Sequence, residues 1–189
     1  IKSSAASDVY KRQVNTHKGA VFSGGILCCT LGYTVSKKTI PSLSFLDDTT
    51  DELSEIIKEM LVHLLDDLKL LSKKDSASLT HGEKLYLKYQ VTGIRGEAQK
   101  GFPSVRTVSL PKLRSAFSSG QTENEAYLNT LLTLMANVDD TNVLSRTNTV
   151  IQGYVKSEAA QLLRIGGAST ALGMEALKKL NQKFIHMNV

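Results

Sequence analysis

The sequence predicts an all-α fold, a multi-helix globular bundle, on three observations. Apolar residues, leucine above all, recur at i, i+3, i+4 spacing, the signature of amphipathic helices. No run sustains the period-two alternation, bounded by turn signals, that strands require. Only three prolines and no tryptophan occur in 189 residues, so few points force a helix to end. A composition of 41% hydrophobic and 22% charged residues supplies enough apolar surface to bury a core. It excludes a disordered chain, a collagen-like repeat and a disulfide scaffold.

The opening residues, Ile1 to Gln13, lack helical or strand periodicity and are small and polar at Ser3, Ser4, Ala5, Ala6 and Ser7. This segment resembles translated read-through of sequencing-adaptor DNA. It is expected to be a non-native or disordered leader, with the helical domain in residues 14–189. Eighteen residues without a charge follow, from Gly19 to Ser36, a length that meets the crude rule for a membrane span. Four glycines (Gly19, Gly24, Gly25, Gly32) and the hydroxyls of Ser23, Thr30, Tyr33, Thr34 and Ser36 argue instead for a buried core helix.

From Thr49 the pattern is a long amphipathic helix, with Leu53, Ile56, Ile57, Met60, Leu61, Leu64, Leu65, Leu68 and Leu71 on one face. Thr49 and Glu52 form a capping box, in which the hydroxyl accepts from a free amide and the carboxylate returns a bond. The same signature at Thr80 and Glu83 opens a helix through Leu85, Tyr86 and Tyr89. At Thr122 and Glu125 it opens another through Leu128, Leu131, Leu132 and Met135. Further helices are expected at Ser109–Phe117, Asn148–Leu163 and Ser169–Phe184, punctuated by Gly120, Gly166 and Gly167. No internal repeat occurs, and no linker splits the chain.

The formal charge of +5 is spread without any block of like charge. Setting aside Ile1–Gln13 leaves 20 basic against 17 acidic residues, or +3. This suits a soluble protein with an anionic ligand and argues against nucleic-acid binding, as does the lack of an aromatic and Arg/Lys stripe. Cys28 and Cys29 are adjacent and can form neither a relaxed bridge nor a spaced metal knuckle, so a reducing, cytoplasmic setting is expected. The usual nucleotide and hydrolase signatures are absent. Gly19 and Gly24 have the spacing of the first two phosphate-loop glycines, but Gly25 stands where lysine is needed.

Four polar clusters remain, all placed between helices, where sites are commonly built. Asn15, Thr16, His17 and Lys18 precede the uncharged helix. Its free amides and positive dipole end would face an anion there, or Asn15 or Thr16 is simply an N-cap. In Thr92–Pro103, three glycines surround Arg95, Glu97 and Lys100. Arg95 could clamp phosphate beside Gly96 while Glu97 takes a proton or holds a metal, or the stretch is a surface turn with an Arg–Glu pair. In the group Asp139, Asp140, Thr141, Asn142 and Arg146, two carboxylates and an amide offer the hard oxygens that magnesium takes alongside substrate phosphates, with Arg146 one turn beyond Asn142, or Asp140 caps a helix. Gly166–Thr170 either admits a ligand or ends one helix and caps the next. His63, His81 and His186 read as solvated side chains.

Three blocks match a known family in order: VNTHKGAVFSGGILCC at Val14–Cys29, HGEKLYLKYQVTGIRGEAQKGFPSV at His81–Val105 and LMANVDDTNVLSR at Leu134–Arg146. They resemble triphosphoribosyl-dephospho-CoA synthase, the CitG and MdcB family. The resemblance implies pentosyl transfer from ATP to the 2′-hydroxyl of 3′-dephospho-CoA, giving 2′-(5″-triphosphoribosyl)-3′-dephospho-CoA and adenine. That product is a prosthetic-group precursor for the acyl-carrier subunit of citrate lyase or malonate decarboxylase. It further implies a cytoplasmic ATP-binding transferase that uses magnesium with ATP and passes its product to an acyl-carrier-protein holo-synthase, with no nucleic acid and no membrane involved. On this basis Lys18, Arg95 and Arg146 are expected to contact phosphate, and Asn15, Thr16, Gly96 and Asn142 to contact substrate. Asp140 and Asn142 are expected as magnesium or ribose ligands, and His17 or Glu97 as the general base. Members of the family carry further segments at both ends, so the chain is expected to be a partial domain. The competing expectation is a catalytically incomplete helical fragment, or a nucleotide-binding module without turnover.

Overall fold

The computed structural model describes residues 18–37, 50–187 and 189. The leader expected at residues 1–13 lies outside them. Among the described residues there are nine α-helices, joined by 3-10 and π segments, and no strand. The all-α expectation holds. The helices are α1 (Lys18–Lys37), α2 (Thr50–Met60), α3 (His81–Tyr89), α4 (Gly93–Gln99), α5 (Leu110–Ser118), α6 (Glu123–Asn137), α7 (Thr141–Arg146), α8 (Thr149–Arg164) and α9 (Ala171–His186). They fall into two compact units. One comprises the described residues up to Leu65 together with Ile94–Gly101, and the other comprises Asp66–Gly93 and Phe102–Val189.

In the first unit α1 packs against α2. The residues they bury are Ile26, Thr30 and Thr34 from α1 and Ser54 and Ile57 from α2. The expected long helix does not run through to Leu71. It stops at Met60, passes through a turn at 61–65 and gives way to 3-10 geometry at Asp66–Lys73. The break has a cause distant in sequence: Arg95 Nη2 donates to the carbonyl of Leu64, and Gln99 Nε2 to that of Val62 at 2.9 Å. Carbonyls that a continuing helix would occupy are thus taken by side chains of α4. Ser54 Oγ donates to the carbonyl of Gly101 at 3.1 Å. Gly101, at φ +70°, leaves no room for a side chain, because a Cβ would overlap Ser54.

In the second unit α6 packs along α8, and α9 completes the layer. Leu132, Ala159, Leu162 and Leu180 form the buried cluster, with Met135, Ala136, Leu163, Ala176, Leu177 and Phe184 packed around it. Both capping boxes within the described residues are made. Thr122 Oγ1 accepts from the Glu125 amide while Glu125 Oε2 accepts from the Thr122 amide. At α3, Glu83 Oε2 accepts from the Thr80 amide at 2.6 Å and Thr80 Oγ1 accepts from the Glu83 amide at 3.3 Å. Thr49, the start of the third expected box, lies outside the described residues.

Asn129, 3% exposed on α6, binds the connection between α8 and α9. Its Oδ1 accepts from the Ala168 amide at 2.8 Å, and its Nδ2 donates to Ser169 Oγ at 2.8 Å and Gln121 Oε1 at 2.9 Å. Gly167 must be glycine here, since at φ +54° a Cβ would overlap Asn129 Oδ1. Gly173 must be glycine as well, because a Cβ would overlap the Gly167 carbonyl.

Two expectations follow. The Lys74 ammonium at 2.6 Å, together with the Thr80 amide and hydroxyl, holds the buried Glu83 carboxyl down from 4.5 to about 2. A folded value below the unfolded one means stability that is complete above about pH 4.5 and lost as pH falls toward about 2. Glu83→Gln therefore lowers the thermal midpoint at neutral pH, and its gap to the parent closes on acidification below that range; a gap unaffected by acid refutes the assignment. Asn129→Ala strands the buried Ala168 amide and costs about 1–3 kcal/mol in urea unfolding.

Candidate functional site

In the first unit Lys18 is the opening residue of α1 and is exposed. Asn15, Thr16 and His17, the rest of the expected phosphate seat, lie outside the described residues. Arg95, Gly96 and Glu97 sit on α4, where Gly96 is buried and the other two are half-buried. The segment expected as a tight glycine loop is thus a short helix, followed by a π-helix at Ser104–Ser109. Gly93 opens α4 at φ +55°, and Phe102 takes φ +55° ahead of the π-helix. The Arg95 guanidinium, with five donors, commits one to Leu64 and is held by that bond.

In the second unit Asp140 caps α7. Its Oδ1 accepts from the Asn142 amide at 2.7 Å and the Val143 amide at 3.3 Å. The N-cap reading is therefore observed, and Oδ2 takes no part in it. Asn142 and Arg146 are exposed on α7, about one turn apart. Asp139 pairs with Lys156 on α8 at 2.6 Å. Gln152, 5% exposed on α8, holds the corner from inside. With the amide turned so that its nitrogen meets an acceptor and its oxygen a donor, it donates to the Asp140 carbonyl at 3.1 Å and accepts from the Asp140 N–H at 2.8 Å. Asp140 is thereby fixed through backbone and side chain at once.

Gly166–Thr170 serves as a connection. Gly166, at φ +97°, ends α8, and Thr170 Oγ1 caps α9 by accepting from the Gly173 amide at 3.0 Å. His63, His81 and His186 are exposed, as expected. Among the described residues no three His, Cys, Asp or Glu side chains gather to hold a metal.

Gln152 and Asn129 escaped sequence reasoning, although a signal existed. Gln152 lies on the helical face of Val155, Ala159 and Leu162, and Asn129 three residues from both Ala126 and Leu132, all buried. An amide on an apolar face needs a partner: Gln152 finds its own in backbone, and Asn129 in the Ala168 amide and two side chains.

The family described as ATP:dephospho-CoA triphosphoribosyl transferase, CitG, matches residues 3–189. The chain is 37% identical over 177 residues to "Probable 2-(5''-triphosphoribosyl)-3'-dephosphocoenzyme-A synthase" of Lactiplantibacillus plantarum, covering 93% of this chain and 58% of the relative. It is 36% identical over 172 residues to the 2-(5''-triphosphoribosyl)-3'-dephosphocoenzyme-A synthase of Klebsiella pneumoniae, covering 91% and 54%. The chain thus spans about half the length of these relatives. No solved structure matches it. The three polar blocks in the sequence, the all-α architecture and the match along nearly its whole length agree, and the chain belongs to the ATP:dephospho-CoA triphosphoribosyl transferase family.

Proposed function

We propose that this chain supplies part of an enzyme that transfers the triphosphoribosyl group of ATP to the 2′-hydroxyl of 3′-dephospho-CoA, releasing adenine. The observation that carries this reading is the family match over residues 3–189. In the reaction the 2′-oxygen attacks the anomeric carbon of the ATP ribose and the bond from that carbon to adenine breaks. The hydroxyl proton passes to a base, and adenine leaves with a proton. The transition state is oxocarbenium-like, so the triphosphate must be held still while positive charge develops at the sugar.

Lys18 and Arg95, on the first unit, are assigned to phosphate oxygens, and Gly96 to substrate. Arg146, on the second unit, is assigned to phosphate as well. Asn15 and Thr16 are assigned to substrate, and His17 or Glu97 to the proton of the attacking hydroxyl. Magnesium enters on ATP as part of the substrate. Asp140, through Oδ2, and Asn142 are the residues that would contact that ion or the ribose. The product passes to an acyl-carrier-protein holo-synthase for citrate lyase or malonate decarboxylase, and neither nucleic acid nor membrane takes part. We assign the protein to the cytoplasm, where ATP is kept. The exposed, unbridged thiols of Cys28 and Cys29 suit that compartment.

The deciding assay is adenine release from ATP and dephospho-CoA, measured on this chain set into the Klebsiella pneumoniae relative in place of the matched region. His17→Ala and Glu97→Gln are made separately. One of them is expected to lower the rate by about 10²–10⁴-fold; unchanged rates in both remove the base assignment. Asp140 is tested by two variants that part its roles. Asp140→Ala loses the cap, costing about 1 kcal/mol of stability, whereas Asp140→Asn keeps the cap and removes the charge. Full stability with lowered adenine release in Asp140→Asn is the expected result, and full activity in that variant contradicts a role at magnesium.

A further inference from the structure

Helix α1 is amphipathic in the reverse sense. Its buried residues, Ile26, Thr30 and Thr34, include two hydroxyls, each satisfied by donating to the carbonyl four residues earlier at 2.9 Å. Its exposed face is apolar: Leu27, Leu31 and Val35 form one row, and Val21 is 72% exposed beside them. A second row, Gly24, Cys28 and Gly32, is small, and neither glycine has an atom within 4 Å of where its Cβ would stand. Charges occur only at the two ends, Lys18 and Lys37. Small residues four apart beside an apolar ridge let a second helix approach closely.

The relatives of Lactiplantibacillus plantarum and Klebsiella pneumoniae are matched over only 58% and 54% of their length. The family polypeptide thus has ample further chain to cover this face. Size favours that occupant over a separate molecule. A 20-residue helix offers a strip about 30 Å by 10 Å, roughly 300 Å², against about 800 Å² per partner in a stable complex. A covalently joined segment docks on so small a strip without the cost of association. We propose that the apolar face of α1 is the docking surface for an apolar helical segment of the family polypeptide lying outside this chain. The proposal rests on family membership and not on the reaction proposed above.

The test reads alkylation of Cys28, which stands in the small row, by tandem mass spectrometry of the peptide that also holds Cys29. In the chain alone Cys28 is expected to react nearly as fast as in urea. In the chimera with the Klebsiella pneumoniae relative it is expected to slow by at least about tenfold. Equal rates in both proteins overturn the proposal, as does protection in the chain alone. Protection that grows with protein concentration assigns the face to a second copy, and protection that appears only with phosphatidylglycerol vesicles assigns it to lipid. A second measurement does not need the chimera. Leu27→Glu with Leu31→Glu in the chain alone is expected to leave the unfolding midpoint unchanged and to reduce binding of an apolar dye. A lowered midpoint would show the face already covered and refute the docking site.

Discussion

One side-chain amide ties the second unit together. Asn129 uses both of its amide hydrogens and its oxygen on three partners, Gln121, Ser169 and the Ala168 backbone. These partners come from the connection before α6 and from the connection between α8 and α9. The apolar cluster of Leu132, Ala159, Leu162 and Leu180 supplies the larger share of free energy through burial, yet burial is non-directional and would accept several helix registers. The hydrogen bonds are directional. They fix where α9 begins, which in turn requires glycine at 167 and 173, where any Cβ would overlap Asn129 or the Gly167 carbonyl. An unmatched buried amide is costly enough that alternative registers are disfavoured by the same residue that specifies this one.

A comparable device holds Asp140. Gln152 grips its backbone from α8 while its own carboxylate holds the first amides of α7. Lys156 meanwhile neutralises neighbouring Asp139 at the surface. The two adjacent carboxylates are therefore different groups: one is paired with a cation, and the other is aimed by a cap and a buried amide. Arg95 is held by the same logic in the first unit, since one of its donors closes the end of the turn after α2. Side chains assigned to substrate thus carry a structural bond as well, which restricts their rotamers before any ligand arrives.

The legible part of the fold was its local chemistry. Thr80 with Glu83 and Thr122 with Glu125 announce helix starts because a capping box closes within four residues, and both are made. Asn148 and Thr170 cap α8 and α9 for the same reason. Two features escaped because their causes are distant in sequence. Leu61 to Leu71 keep a helical apolar period, but the carbonyls of Val62 and Leu64 are taken by Gln99 and Arg95, more than thirty residues on. The uncharged stretch from Gly19 is helical as expected, yet it buries its hydroxyl side and exposes its leucines. Composition cannot distinguish these orientations, since a threonine that bonds back to its own helix presents only its methyl group and aliphatic carbon to a neighbour. Of the candidate site, the residue types were legible but their setting was not, since Arg95 and Glu97 sit on α4 and Asn142 and Arg146 on α7. That Asp140 caps α7 was not legible either, because a cap and a proposed ligand ask for the same carboxylate.

The cap bears on the ligand role proposed for Asp140. A helix cap needs one oxygen acceptor, and asparagine or serine meets that need about as well as aspartate. The second oxygen and the full negative charge of Asp140 exceed what capping requires, while Gln152 already fixes the backbone at that corner. The capping bond immobilises Oδ1 against two amides, so the direction of Oδ2 is set by the fold and no rotamer entropy remains to be lost on meeting a cation. A carboxylate that caps is thereby a better prepared ligand than one extended freely into solvent.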